Sequence, residues 1–237
     1  MKIGLIQTRG IGDIIIAAPI AQYFINQGHD VFWPVDSRFF LSVQTAFPEI
    51  QFVPICVDEV GDASLAYFVT QPFAKLTSIG CNTIYTLYSF LSGLNIVEPK
   101  LAKSLKFDEY KYAITGVPFN QKWNLVVNRS REREQALFDQ LGISGEYLVL
   151  HDQGSNFKLD IQLPDDMLRA YQVVKVSELT DNPFDWIGVI ERARALVCVD
   201  SCFANLAEQL DLCSHKYLFL RSAIQTTPVF KNNWQFR

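Results

Sequence analysis

No run of apolar residues in this chain approaches the roughly 18 needed to span a bilayer. The longest candidate, IIIAAPIAQYFI at residues 14–25, is short and carries Gln22, so it reads as a buried helix. A secretory layout is missing too, because Arg9 interrupts the opening apolar stretch. A reducing cytoplasm is the expected compartment, with at most peripheral contact to a membrane. There is no basic excess: the formal net charge is −4, which offers nucleic acid no electrostatic footprint. Cysteine is sparse, with Cys56, Cys81, Cys198, Cys202 and Cys213 only. An odd count at irregular spacing does not read as a disulfide framework. Cys198 and Cys202 lack the second pair of ligands that a zinc site needs. Free, buried thiols are expected. Histidine is limited to His29, His151 and His215, which are scattered. No Asp-x-Asp pair is present to hold a divalent metal, and there is no fixed-period repeat or low-complexity tract.

What is present is ample material for a core. The 237 residues are 49% hydrophobic and 19% charged, which fits one large domain or two small ones. Short apolar segments alternate with helical ones. MKIGLIQ, HDVFWPV and IQFVPICV read as strands, and DIIIAAPIAQYFINQG and SRFFLSVQTAF as helices. Pro19 predicts a kink in the first helix, and Gly28 a C-terminal stop. SLAYFVT reads as a strand, CNTIYTLYSFLSGL as a helix, and residues 106–123 as a connector. RSREREQALFDQLGI reads as a helix whose charges form a solvated face. A second alternating stretch follows, with strands EYLVLHD, YQVVKVSEL, ALVCVD and KYLFLRS and helices PFDWIGVIERAR and SCFANLAEQLDL. Alternation of this kind predicts parallel, doubly wound α/β sheets. Two Rossmann-like lobes are expected, 1–118 and 119–237, with a ligand cleft between them.

Three loops follow predicted strands, where open α/β sheets bind ligands. RGIGD, residues 9–13, places two glycines one residue apart before an apolar helix, and such a turn lets backbone approach a phosphate. As a dinucleotide fingerprint it lacks the third glycine, since Ile15 stands there, although Asp36 ends the second strand where a ribose-binding acid belongs. Asp13 reads either as a helix cap or as a catalytic carboxylate. HDQGSNFK, residues 151–158, offers Gly154, Ser155 and Lys158; lysine beside exposed N–H groups suits a diphosphate, while a solvated loop is the plainer alternative. His151 reads as a core imidazole. DSCFAN, residues 200–205, puts Asp200 at a strand end and Ser201 at a helix start, either as an anion site or as a simple cap.

The order of these three stretches resembles the heptosyltransferase-type glycosyltransferases, two-lobed enzymes of GT-B fold. RGIGDIIIAAPIAQYF is similar to that family's opening turn and proline-containing helix. LVLHDQGSNFK is similar to its central strand and phosphate-contacting loop, and DWIGVIERARALVCVDSCFANLAEQL to its late Asp-Thr-Gly-x-x-His segment. The resemblance implies Asp13 as general base. It implies Arg9, Gly10, Ile11 and Gly12 as an acceptor-side phosphate loop, and Gly154, Ser155, Lys158, Asp200, Ser201, Cys202 and Asn205 as donor-binding residues. Cys202 stands where the family has glycine, and Asn205 where it has histidine. The chain is short for the family, which implies a reduced second lobe with no clear counterpart to the family's acidic donor contact; Glu178 is the nearest acid.

The function so implied is transfer of a sugar, heptose among the candidates, from a nucleotide-diphosphate donor to the hydroxyl of a glycan or lipid-linked glycan. It would proceed with inversion, without a metal or other cofactor, and belong to lipopolysaccharide biosynthesis. The first lobe would face the acceptor and the second would bind the nucleotide-sugar. The alternatives are a catalytically silent nucleotide- or sugar-phosphate-binding module and a nicotinamide-dependent oxidoreductase.

Overall fold

The computed structural model describes residues 1–56, 64–89, 99–154, 157–221 and 224–237. The chain forms two compact units, Met1–Asn128 and Arg129–Arg237.

In the first unit the described elements are β1 (Lys2–Ile6), α1 (Ile11–Asn26), β2 (Asp30–Asp36), α2 (Ser37–Ala46), β3 (Gln51–Ile55), a π-helical turn (Ala66–Thr70) running into α3 (Gln71–Ile79), β4 (Thr83–Thr86), α4 (Pro99–Ser104), α5 (Phe107–Thr115) and a 3-10 helix (Phe119–Trp123). The four strands are all parallel, in the order β3-β2-β1-β4. β1 therefore sits beside the point where strand order reverses. α1 is buried almost all round from Ile14 to Gln22, which is why its sequence is apolar on every face. Gln22 is tolerated there because its carboxamide is engaged at both ends: Nε2 donates to Val126 O at 2.6 Å, and Oε1 accepts from the Val126 N–H at 3.1 Å. The helix runs through Pro19, and Tyr112 Oη donates to the Ile16 carbonyl beside that turn at 2.8 Å. Gly4 lets α3 approach β1, since a Cβ there would lie 2.7 Å from Leu76.

In the second unit the described elements are α6 (Arg131–Gln140), β5 (Tyr147–His151), α7 (Asp165–Ala170), β6 (Gln172–Lys175), a 3-10 turn (Pro183–Trp186) leading into α8 (Ile187–Arg192), β7 (Ala195–Val199), α9 (Cys202–Gln209), β8 (His215–Phe219), a 3-10 turn (Ile224–Thr226) and β9 (Trp234–Phe236). This sheet is also all parallel, in the order β6-β5-β7-β8-β9. Order reverses between β5 and β7.

The α/β expectation holds, with four local corrections. SLAYFVT is not a strand: Ser64 accepts from the Tyr67 N–H through its hydroxyl at 3.0 Å, and a π-helical turn follows. Tertiary contact overrides β-propensity there, because the buried Tyr67 hydroxyl reaches Asp36 at 2.6 Å. CNTIYTLYSFLSGL is not a helix over its described part. Thr83–Thr86 is a strand paired with β1, as β-branched and aromatic residues favour, and residues 90–94 lie outside the described residues. Residues 106–123 are not a connector but hold α5 and the 3-10 helix; Gly116, at φ 71°, closes α5 in the left-handed conformation. Those elements pack with the first unit, so the division falls after Asn128 rather than after residue 118. The RSRERE run is not merely a solvated face. Arg129 binds Glu134 at 2.6 Å and Glu191 at 2.7 Å, and Arg133 binds Asp185 at 2.9 Å, which ties α6 to α8 and the turn before it.

Candidate functional site

The carboxyl ends of β1 and β4 meet around Asp13. Gln7 and Thr8 follow β1 and are fully buried, while Arg9, Gly10, Ile11, Gly12 and Asp13 are partly exposed. The helix starts at Ile11, two residues earlier than the sequence predicts, with Gly10 at its cap position. Asp13 thus lies inside the first turn and makes no cap bond. Its Oδ1 is 3.0 Å from Lys111 Nζ. That lysine, on α5, is almost wholly buried, with only 3% of its side chain exposed, whereas Asp13 keeps 37%. Lys111 also donates to Gln7 Oε1 at 2.6 Å and to the Leu87 carbonyl at 3.1 Å. A buried ammonium held by two hydrogen bonds and this ion pair is rigid, so the carboxylate facing it is oriented as well. On the β4 side, Tyr88 Oη accepts from the N–H groups of Thr8 at 2.7 Å and Arg9 at 3.2 Å, and burial pushes its phenol up to about 12. The loop is clamped from below, and the Asp13 carboxylate is the partly open group.

Asp36, the acid that a ribose would need, is buried. It caps α2 by accepting from the Arg38 N–H at 2.9 Å, pairs with the Arg38 side chain and accepts from Tyr67. Burial works against its charge, and the Arg38 and Tyr67 bonds outweigh that and hold its carboxyl below the usual range. It is fully occupied by protein.

In the second unit the loops after β5 and β7 flank the reversal point. His151 pairs in register with Cys198, which sets the two loops side by side. Backbone bonds tie the described parts of the loop after β5 together: the Leu159 N–H donates to Asp152 O and the Gly154 N–H to Phe157 O, both at 2.9 Å. A Cβ on Gly154 would lie 2.1 Å from the Phe157 ring, so only glycine fits beneath it. Lys158 is exposed and bridges to Gln153. Ser155 lies outside the described residues. Asp152 pairs with Lys175 at 2.6 Å, which overcomes burial and holds its carboxyl low.

After β7, Asp200, Ser201 and Cys202 are partly exposed and Asn205 is buried. Ser201 occupies the cap position of α9 but does not cap it, and its Oγ lies 3.1 Å from His151 Nδ1. Burial pushes the Cys202 thiol up to about 12, so it stays protonated at neutral pH. Burial also lowers His151 to about 4, leaving the ring neutral. Among the described residues no cluster of His, Cys, Asp and Glu is arranged to hold a metal ion, and no helix is long and apolar enough to cross a membrane. The cysteines are free, but only Cys198 is fully buried.

The structure therefore joins Ser201 with His151 and places Asp200, Cys202 and Asn205 around them, while the contacts of Lys158 are local. Asp13 and the Arg9–Gly12 loop belong to the first unit, the other candidates to the second. Sequence reasoning missed Lys111, Gln7 and Tyr88. The signal for Lys111 was there: two acids followed by an apolar, aromatic run and Gly116 mark a helix.

No protein-family model matches the chain, and no curated protein matches it by sequence. Solved structures do match. The chain aligns over its whole length with 90% of Escherichia coli ADP-heptose lipopolysaccharide heptosyltransferase II, at TM-score 0.64 and 12% identity. It aligns over its whole length with 86% of a family 9 glycosyl transferase from Veillonella parvula, at TM-score 0.65 and 12% identity. An E. coli heptosyltransferase solved with ADP-2-deoxy-2-fluoro heptose gives TM-score 0.55 at 13% identity, with 93% of that chain covered. At such identities the likeness is one of fold. The two parallel α/β units of this chain have the architecture of heptosyltransferases, the group its sequence motifs resemble.

Proposed function

We propose that this protein is a glycosyltransferase that moves a sugar from a nucleoside-diphosphate donor to a glycan hydroxyl, with inversion and without a bound metal. The observation that carries the reading is Asp13, a partly open carboxylate at the end of β1, oriented by a buried lysine. In this reading the acceptor oxygen attacks the anomeric carbon as Asp13 takes its proton. The bond from that carbon to the diphosphate oxygen breaks, and its electron pair leaves with the diphosphate. Lys158 and the start of α9 at Ser201, with Asp200 and Asn205 beside it, form the donor half-site that stabilises the leaving charge. Two neighbours are heptosyltransferases solved with ADP or an ADP-heptose analogue, which makes ADP-heptose the first donor to try. A glycan or lipid-linked glycan is the expected acceptor.

The test is transfer from a panel of nucleotide-sugars, together with binding of ADP, GDP, UDP and CDP. Asp13→Asn keeps an acceptor for Lys111 but no base. It should lower the transfer rate by about 10²- to 10⁴-fold and leave nucleotide affinity within a factor of two. Equal loss of binding and transfer would defeat the base assignment, and nucleotide binding with no transfer in the wild type would favour a silent binding module.

A further inference from the structure

His151 is a strand-end imidazole with no part in the chemistry above, yet its placement is specific. The β5–β7 register brings its ring to the start of α9, where Nδ1 lies 3.1 Å from Ser201 Oγ. Phe203 holds the ring edge-on, with centroids 4.7 Å apart at 70°. Ser201 has an extended backbone, φ −155° and ψ 179°, at a position where serine ordinarily accepts from an N–H two or three residues on. Elsewhere this chain uses serine that way: Ser130 Oγ accepts from the Arg133 N–H at 3.4 Å. Ser201 makes no such bond.

A second observation points to a ligand at the same place. Asn205, one turn along α9 and only 3% exposed, donates from Nδ2 to the Ser201 carbonyl at 3.0 Å. That bond sets the amide's orientation, because the flipped amide would oppose two acceptors. Its Oδ1 is then buried with no donor. An orphaned buried oxygen is costly unless an incoming group supplies a hydrogen, and a sugar or ribose hydroxyl does so.

We propose that His151 is a positioning residue that holds the Ser201 hydroxyl off the first turn of α9, leaving the Ala204 N–H for a phosphate oxygen of a nucleoside diphosphate, while the Phe203 N–H faces the Cys202 sulfur. The inference rests on the donor half-site reading above. The neutral ring fits the role, because one of its nitrogens is free to accept the hydroxyl proton. Without the ring, the hydroxyl swings onto the helix and competes with the ligand for the Ala204 N–H.

A double-mutant cycle tests this. His151→Phe keeps the aromatic packing on Phe203 and removes both ring nitrogens. Affinities for ADP, GDP, UDP, CDP and inorganic pyrophosphate are measured by calorimetry on wild type, His151→Phe, Ser201→Ala and the double variant, with melting temperatures as a folding control. We expect His151→Phe to weaken the nucleotide that the wild type binds by about tenfold. In the Ser201→Ala background the same change should have an effect under about twofold, since no hydroxyl remains to compete. Equal loss in both backgrounds would make His151 merely structural and overturn the proposal, as would unchanged affinity in His151→Phe. If His151→Phe does not fold, His151→Leu, which also removes both ring nitrogens, takes its place in the cycle with the same expectations. A wild type that binds none of the five ligands would instead sink the donor half-site reading, and this inference with it.

Discussion

Gly10 has φ 83°, and a Cβ placed there would lie 2.8 Å from Asp13 Oδ2. Both facts demand glycine, the first for the backbone and the second for the carboxylate. Gly10→Ala should therefore cost about 1–2 kcal/mol in urea unfolding. It should also lower transfer by more than it lowers nucleotide affinity, because the displaced group is the proposed base rather than a donor contact. Equal effects on the two would show that Oδ2 does not need its present place. At this scale the sequence was legible in part. The spacing of Gly10, Gly12 and Asp13 marked the turn. The partner that orients Asp13 was not legible, because Lys111 lies 98 residues away and meets Asp13 only when α5 packs beside α1.

Two elements are held by buried charge. Lys122 on the 3-10 helix and Asp108 on α5 are wholly buried and 2.7 Å apart, with Lys122 also over the Phe119 and Trp123 rings. Removing one partner strands the other charge. Asp108→Ala should cost about 3–5 kcal/mol by denaturant unfolding, whereas the double variant Asp108→Leu/Lys122→Met should cost far less. In the second unit, Glu208 on α9 is fully buried. It accepts from the Lys231 N–H at 2.8 Å, the Asn232 N–H at 3.2 Å and Trp234 Nε1 at 2.8 Å. It thereby docks the segment leading into β9. Glu208→Ala should cost about 3 kcal/mol and expose residues 231–237 to limited proteolysis. A cleavage pattern like that of the wild type would show that β9 is held by its strand pairing alone.

At the scale of the whole molecule, pH reports on the second unit. Burial lowers His151 from an ordinary 6.5 to about 4, so the unfolded chain takes up a proton between those values and the folded chain does not. Stability from this group is complete above pH 6.5 and is lost as pH falls towards 4. The loss at pH 5 should be about 2 kcal/mol by urea unfolding. His151→Phe should remove that slope. Asp36, Asp152 and Glu191, whose carboxyls are held low, add their own loss only at lower pH, as it falls below the ordinary carboxylate range. A wild-type slope unchanged in His151→Phe would assign the acid sensitivity elsewhere. With two compact units, each transition is best followed by a local probe rather than read as one two-state event.

Periodicity and turn chemistry by themselves determined that this chain makes parallel α/β sheets, where most strands lie, and that the RGIGD, HDQGSNFK and DSCFAN loops follow strands. These are local properties: alternation of apolar runs, glycine at a turn, an acid or serine at a helix start. Tertiary structure alone decided the rest. AYFVT became a π-helical turn because Tyr67 is drawn to Asp36, and TIYT became a strand because β1 offered it an edge. Residues 119–128 joined the first unit because a buried lysine and the Gln22 amide hold them there. Lys111 meets Asp13 only because α5 packs against α1, and His151 meets Ser201 only because the β5–β7 register sets their two loops side by side. No window of neighbouring residues contains that information.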